Sequence, residues 1–156
     1  MPNPADKTVD LKRLIGGSPS LRGRAVPGRL GRYEILNELG KGAMGVVYRA
    51  RDPMINREVA LKTIPLADEF DGVELDQARA KFFREAETAG RLSHPHIVTI
   101  YDAGEQNGTA YIAMELLRGV HLVEYTDPVR LLPPAIAIEV VARLAGALHY
   151  AHEQSV

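Results

Sequence analysis

Gly40, Gly42 and Gly45 fall within the segment GKGAMGVV, Gly40–Val47, between two stretches in which apolar residues alternate with polar ones. The alternation at Tyr33, Ile35, Asn37 and Leu39, and again over Val46–Arg51, has the period of a β-strand. This confines the local fold to a hairpin with a glycine-rich tip. The same letters, GxGxxG, mark dinucleotide-binding folds, but there the third glycine opens a helix. Here a strand follows Gly45. Without side chains, the three glycines would let main-chain N–H groups approach phosphate oxygens. Taken alone, the pattern also suits a plain structural hairpin.

A second strand-like run, Val59–Ile64, contains Val59-Ala60-Leu61-Lys62. Period two puts Ala60 and Lys62 on one face, and Val59 and Leu61 on the other. A lysine in mid-strand among apolar residues is costly unless it meets an anion; the alternative is a lysine that extends outward at a sheet edge. The period then changes. Residues 74–92 place Leu75, Ala78, Phe82, Ala86, Ala89 and Leu92 on one helical face, and Glu85 falls within that stripe. An acid on a buried stripe requires a cation, which points to Lys62 across the sheet, or else Glu85 lies at the margin and pairs with Lys81 four residues back.

Strands are also predicted at Ile97–Tyr101 and Thr109–Glu115, with Gly104, Asn107 and Gly108 supplying the turn. The expected fold class is α+β: a five-stranded antiparallel sheet with one packed helix over residues 33–118, followed by two helices in 119–156. The first of these is a short helix after Gly119. The second opens at Pro133 and Pro134 and runs to about His152. Ile136, Ile138, Val140, Val141, Leu144 and Leu148 leave this helix apolar nearly all round, as in a larger body. Self-association through its exposed face is expected.

Residues 1–32 carry seven basic side chains against two acidic ones and are dense in Pro and Gly, which predicts a flexible basic tail with at most a helical turn at Val9–Ile15. The formal net charge of the whole chain is -1, which gives no reason to expect nucleic acid or an anionic membrane as partner. With no cysteine, a disulfide framework and a thiolate metal site are excluded, and a cytoplasmic setting suits the chain. No stretch has the length and apolarity of a membrane span. His94 and His96 flank Pro95, and His149 and His152 lie three apart on a helix without a visible third ligand. No metal site is therefore assigned. Asp52, Asp102 and Asp127 read as surface turn residues.

In order, GKGAMGVVYRARD, VALK, FFREAE, LSHPHIVTIYDAGE and AYIAMELLRG resemble the eukaryotic-type protein serine/threonine kinases, most closely their bacterial branch, from about Tyr33 to Val156. The loop, the strand lysine and the helix glutamate are signatures of that family. The resemblance implies that residues 33–118 form the ATP-binding small lobe and 119–156 the start of the large lobe. It implies that Gly40, Lys41, Gly42, Ala43, Met44, Gly45, Val46 and Val47 cover the ATP phosphates, Lys62 binds the α- and β-phosphates, and Glu85 pairs with it. Leu39, Val47 and Ala60 would wall the adenine pocket, with Met114 at its back. The Glu115 carbonyl and the Leu117 N–H would bind the adenine edge.

The resemblance departs at the loop tip, where Met44 stands in place of the aromatic many members carry, and seriously in one respect: HRDxxxxN, DFG and APE are not in these residues. The catalytic aspartate and the ligands of Mg²⁺ would lie beyond Val156, in a longer protein acting on protein substrates, with or without a membrane anchor. Residues 1–156 alone are expected to be inactive. The alternative is a non-catalytic nucleotide-sensing or protein-interaction module. Thr8, Ser18 and Ser20 are candidate phosphorylation sites by the same analogy.

Overall fold

The computed structural model describes residues 28–42 and 45–156. The turn expected at Val9–Ile15, the candidate sites Thr8, Ser18 and Ser20, and the loop-tip residues Ala43 and Met44 lie outside the described residues. The sheet comprises β1 (Arg29–Leu30), β2 (Tyr33–Gly42), β3 (Gly45–Asp52), β4 (Arg57–Ile64), β5 (Ile100–Gln106) and β6 (Thr109–Met114). All pairings are antiparallel, in the order β1-β2-β3-β4-β6-β5. Helices α1 (Leu66–Glu69), α2 (Gly72–Gly90) and α3 (Pro134–Glu153) accompany it, with a 3-10 turn at Leu122–Tyr125.

Six strands replace the five expected, because residues 29–30 of the supposed tail pair with β2. Gly31, at φ +57°, makes the tight turn between them, and Leu30 is 6% exposed. A glycine density that suggested disorder includes one glycine serving as a hairpin turn. β5 also starts later than predicted, since Ile97 N–H bonds the His94 carbonyl in a turn (3.1 Å). At the β5–β6 turn, Asn107 and Gly108 both have positive φ, as a two-residue hairpin requires.

Each face of the sheet has its own core. Tyr33, Ala50, Val59, Leu61, Tyr111 and Ala113 pack on one side with Leu30. On the other, Leu66, Phe82 and Ala110 are buried with Ile64, Ile112, Leu75 and Ala78, which seats α2 on the sheet. Although β1 and β5 are at opposite ends of the strand order, Arg32 on the β1–β2 turn reaches Asp102 on β5 (3.0 Å). The sheet is therefore curled.

That contact belongs to a polar network. Arg32 also donates to Asp52 (3.0 Å) and to the Tyr33 hydroxyl (2.8 Å), which in turn donates to Asp102 (2.9 Å). Asp52, read from the sequence as a surface turn residue, is only 3% exposed, and it accepts the Met54 N–H as well (3.0 Å). Burial, followed by the hydrogen bond to Asp102, raises the Tyr33 pKa above its ordinary 10.0; burial raises Tyr48 and Tyr111 too. A phenol whose folded pKa is raised holds its full stabilising contribution below the unfolded pKa and loses it as pH climbs beyond. Urea unfolding midpoints should therefore fall above pH 10, and Tyr33→Phe should reduce the steepness of that fall. An identical slope in the variant would contradict this.

α3 is held loosely to the rest. Only Ala147 is buried on it, while Ile138 and Leu148 are 69% and 60% exposed. Its C-terminal end is fixed by Tyr150, whose hydroxyl accepts the Ser93 N–H (3.1 Å) and whose ring stacks on His94. Among the described residues, no helix is long and apolar enough to cross a membrane.

Candidate functional site

The register of the central strands builds the site. Val47, Lys62 and Ile112 lie opposite one another across β3, β4 and β6, and Arg49, Ala60 and Met114 form a second row. Cross-strand partners share a face. Val47, Ala60, Lys62 and Met114 therefore lie on one side of the sheet, the side on which α2 packs. Val59 and Leu61 take the opposite side and are fully buried. Ala60 is 7% exposed, whereas Lys62 is half-buried.

Beside this row runs the β2–β3 hairpin, with Gly40 opposite Val47 and Gly42 opposite Gly45. The three glycines differ in kind. A Cβ added at Gly40 or Gly42 would meet nothing within 4 Å, so the chain's own packing does not demand glycine at either position. At Gly45 a Cβ would lie 1.8 Å from the Thr63 carbonyl oxygen, and φ is +131°. Gly45 is a folding requirement; Gly40 and Gly42 leave open space for a ligand to approach main chain.

The remaining expected residues divide by position. Leu39 sits where the β2 register shifts between Glu38 and Gly40, and is half exposed. Val46 is 4% exposed on the face opposite Val47, and its carbonyl accepts the Thr63 hydroxyl (3.0 Å). Lys41, opposite Val46 in register, is exposed on that same far face. Beyond Met114, the Glu115 N–H is committed to the Thr99 carbonyl (2.9 Å). Neither the Glu115 carbonyl nor the Leu117 N–H makes a main-chain hydrogen bond among the described residues. An adjacent acceptor and donor are thus available at the end of β6.

Glu85 does not meet Lys62 in this structure. Its carboxylate is 68% exposed and pairs with Lys81 (3.7 Å). The rotation of α2 explains this. Phe82 and Ala86 are the buried residues, with Leu75 packed in line, and at about 100° per residue this puts Glu85 roughly 80° from the centre of the stripe. Arg79, on the other margin, is fixed to β5 by Glu105 through contacts of 2.7–2.9 Å. Both Lys62 and α2 occupy the same side of the sheet, so the sheet itself does not separate the two groups. Among the described residues Lys62 has no ion-pair partner.

His94 and His96 pack edge to face, and His149 lies beside Glu153 (3.5 Å). No group of three or more His, Cys, Asp or Glu side chains placed to hold a metal occurs among the described residues. Thr63 was not singled out in the sequence, although its carbonyl is what makes Gly45 necessary. Only the pairing register identifies it.

Comparison with known proteins bears on this geometry. Residues 33–156 match the family model described as protein kinase domain. The serine/threonine-protein kinase PrkC of Bacillus subtilis is 38% identical over 126 residues, covering 81% of this chain and 19% of that protein. The serine/threonine-protein kinase PknD of Mycobacterium tuberculosis is 41% identical over 131 residues, covering 84% and 19%. A crystal structure of the Mycobacterium tuberculosis PknI kinase domain superposes with a TM-score of 0.69 at 35% identity, covering 84% of this chain and 52% of that one. The chain thus spans about a fifth of these curated relatives and about half of a solved kinase domain.

Proposed function

Because this chain belongs to the protein kinase domain family, we propose that it supplies the ATP cleft of a protein that transfers the γ-phosphoryl group of ATP to serine or threonine hydroxyls of protein substrates. One observation supports this reading above the others. A half-buried lysine with no counter-ion among the described residues shares a sheet face with Val47, Ala60 and Met114, next to a hairpin whose Gly40 and Gly42 stand bare. A cation so placed is stabilised by an anion entering from the open side.

In this reading Lys62 Nζ neutralises the α- and β-phosphates and fixes their position, while main-chain N–H groups of the Gly40–Val47 hairpin close over them. Val46 and Lys41 contribute through main chain alone. Adenine lies between Leu39 and Val47 on one side and Ala60 on the other, bounded by Met114. The Glu115 carbonyl accepts from its exocyclic amine, and the Leu117 N–H donates to the ring. A turn of α2 brings Glu85 to Lys62 and aims the ammonium. Mg²⁺ accompanies ATP in this family, and no group of three or more His, Cys, Asp or Glu side chains placed to hold it occurs among the described residues. The site of action is cytoplasmic.

The test is transfer of labelled γ-phosphate to a protein substrate by the full-length protein. Transfer that Lys62→Ala abolishes is expected, with none from purified residues 1–156, whose sequence lacks HRDxxxxN and DFG. Magnesium-dependent transfer by 1–156 alone, or transfer indifferent to Lys62, would overturn the assignment of roles. The Glu85–Lys81 pair favours a second reading, a nucleotide-sensing or protein-interaction module without catalysis. Nucleotide binding by a full-length protein that transfers no phosphate would select it. In either reading the exposed α3 face is a surface that associates: light scattering of residues 1–156 should show oligomers growing with concentration, and a clean monomer throughout would contradict that.

A further inference from the structure

α2 carries charges on both margins of its buried stripe. At about 100° per residue, Arg79 and Glu85 project about 120° apart, on opposite sides of Phe82 and Ala86. Arg79 is turned to the edge strand. Its Nε and Nη2 donate to the Glu105 carboxylate on β5 at 2.7–2.9 Å, and its Nη1 lies 3.5 Å from Asp76 on its own helix. Glu85 leaves from the other margin, where it pairs with Lys81 (3.7 Å). Lys62, on β4, is two strands in from Glu105 in the order β4-β6-β5, about 10 Å across the sheet.

The rest of the helix's seat is less specific. Leu75 and Phe82 are its large apolar contacts, while Ala78 and Ala86 offer smooth surface that interlocks weakly. No side-chain hydrogen bond caps its first turn. Beside its C-terminal half, an open groove of about 500 Å³, lined by Phe83 and Gly90 on the helix and by Ile100 and Ala103 on β5, leaves that half unsupported. A guanidinium held by both oxygens of a carboxylate, with Glu105 17% exposed, is by contrast directional.

We propose that the Arg79–Glu105 pair is a catch that holds α2 where Glu85 is kept off Lys62, and that its release lets Glu85 pair with Lys62 and tightens the cleft's hold on a triphosphate. Arg79 is then a positioning residue that acts through α2 without touching nucleotide. This rests on the reading of Lys62 as the phosphate-binding cation, but the catch itself can be tested without nucleotide.

A carbodiimide joins carboxylates to amines that are already in contact. In the parent chain it should link Glu85 to Lys81, as detected by mass spectrometry. In Arg79→Gln, and equally in Glu105→Gln, a Glu85–Lys62 link should rise at least about threefold above its parent level. Exchanging the two charges, Arg79→Glu with Glu105→Arg, should return it to that level. Arg84→Gln, at an exposed position of α2, should leave the pattern unchanged. Calorimetric titration should show ATP bound about 3- to 10-fold more tightly by Arg79→Gln than by the parent, with adenosine unaffected and the gain abolished by adding Glu85→Gln. A Glu85–Lys62 link no more abundant in either single variant would overturn the catch while leaving the role of Lys62 standing. A link that rises without a gain in ATP affinity, or a gain that survives Glu85→Gln, would overturn its control of the cleft. ATP bound identically by the parent and Lys62→Ala would instead overturn the reading beneath it, and that control with it.

Discussion

Gly45→Ala should destabilise the fold by roughly 2–6 kcal/mol, the sum expected from a strained positive φ and from overpacking. The added Cβ would fall 1.8 Å from the Thr63 carbonyl oxygen, a main-chain atom held by β4 at the centre of the sheet. Relief requires β3 and β4 to separate where Val46 faces Thr63. Against a typical domain stability of about 5–15 kcal/mol, such a loss is large. Gly42→Ala provides the contrast. Its Cβ would meet nothing within 4 Å, so urea unfolding should hardly change while nucleotide binding weakens. Equal unfolding midpoints for Gly45→Ala and the parent chain would show that the hairpin does not press on β4 as described.

Much of the fold was legible because strand periodicity and turn chemistry act locally. Val59 and Leu61 are buried opposite Ala60 and Lys62, as period two demands, and Asn107-Gly108 forms the turn its residues favour. What escaped depended on contacts distant in sequence. β1 forms because Leu30 finds a place in a core shared with Tyr111, and Asp52 is buried because Arg32 reaches it from another turn. Helical periodicity placed Glu85 on the correct element but not at its rotation. Ala78, Phe82, Ala86 and Ala89 span a wide arc, and the Arg79–Glu105 pair selects one orientation within it. Whether Glu85 faces Lys62 or Lys81 depends on how the helix is set against the sheet, which no spacing argument resolves.

The other large effect belongs to Lys62. Hydrogen bonds to charged groups contribute about 1.5–3 kcal/mol, so Lys62→Ala should weaken ATP binding by roughly 10- to 100-fold. Adenosine should bind about equally to both chains, since its contacts would be with Val47, Ala60 and the main chain at Glu115 and Leu117. The substitution removes a half-buried, unpaired cation, so the variant should be no less stable than its parent. A loss of affinity therefore cannot be ascribed to unfolding. Calorimetric titration of residues 1–156 with ATP and with adenosine, in the parent and in Lys62→Ala, is the decisive measurement. The account predicts that the parent prefers ATP and that the variant loses the preference. ATP bound tightly and identically by both chains would place the phosphates somewhere other than beneath the glycine hairpin.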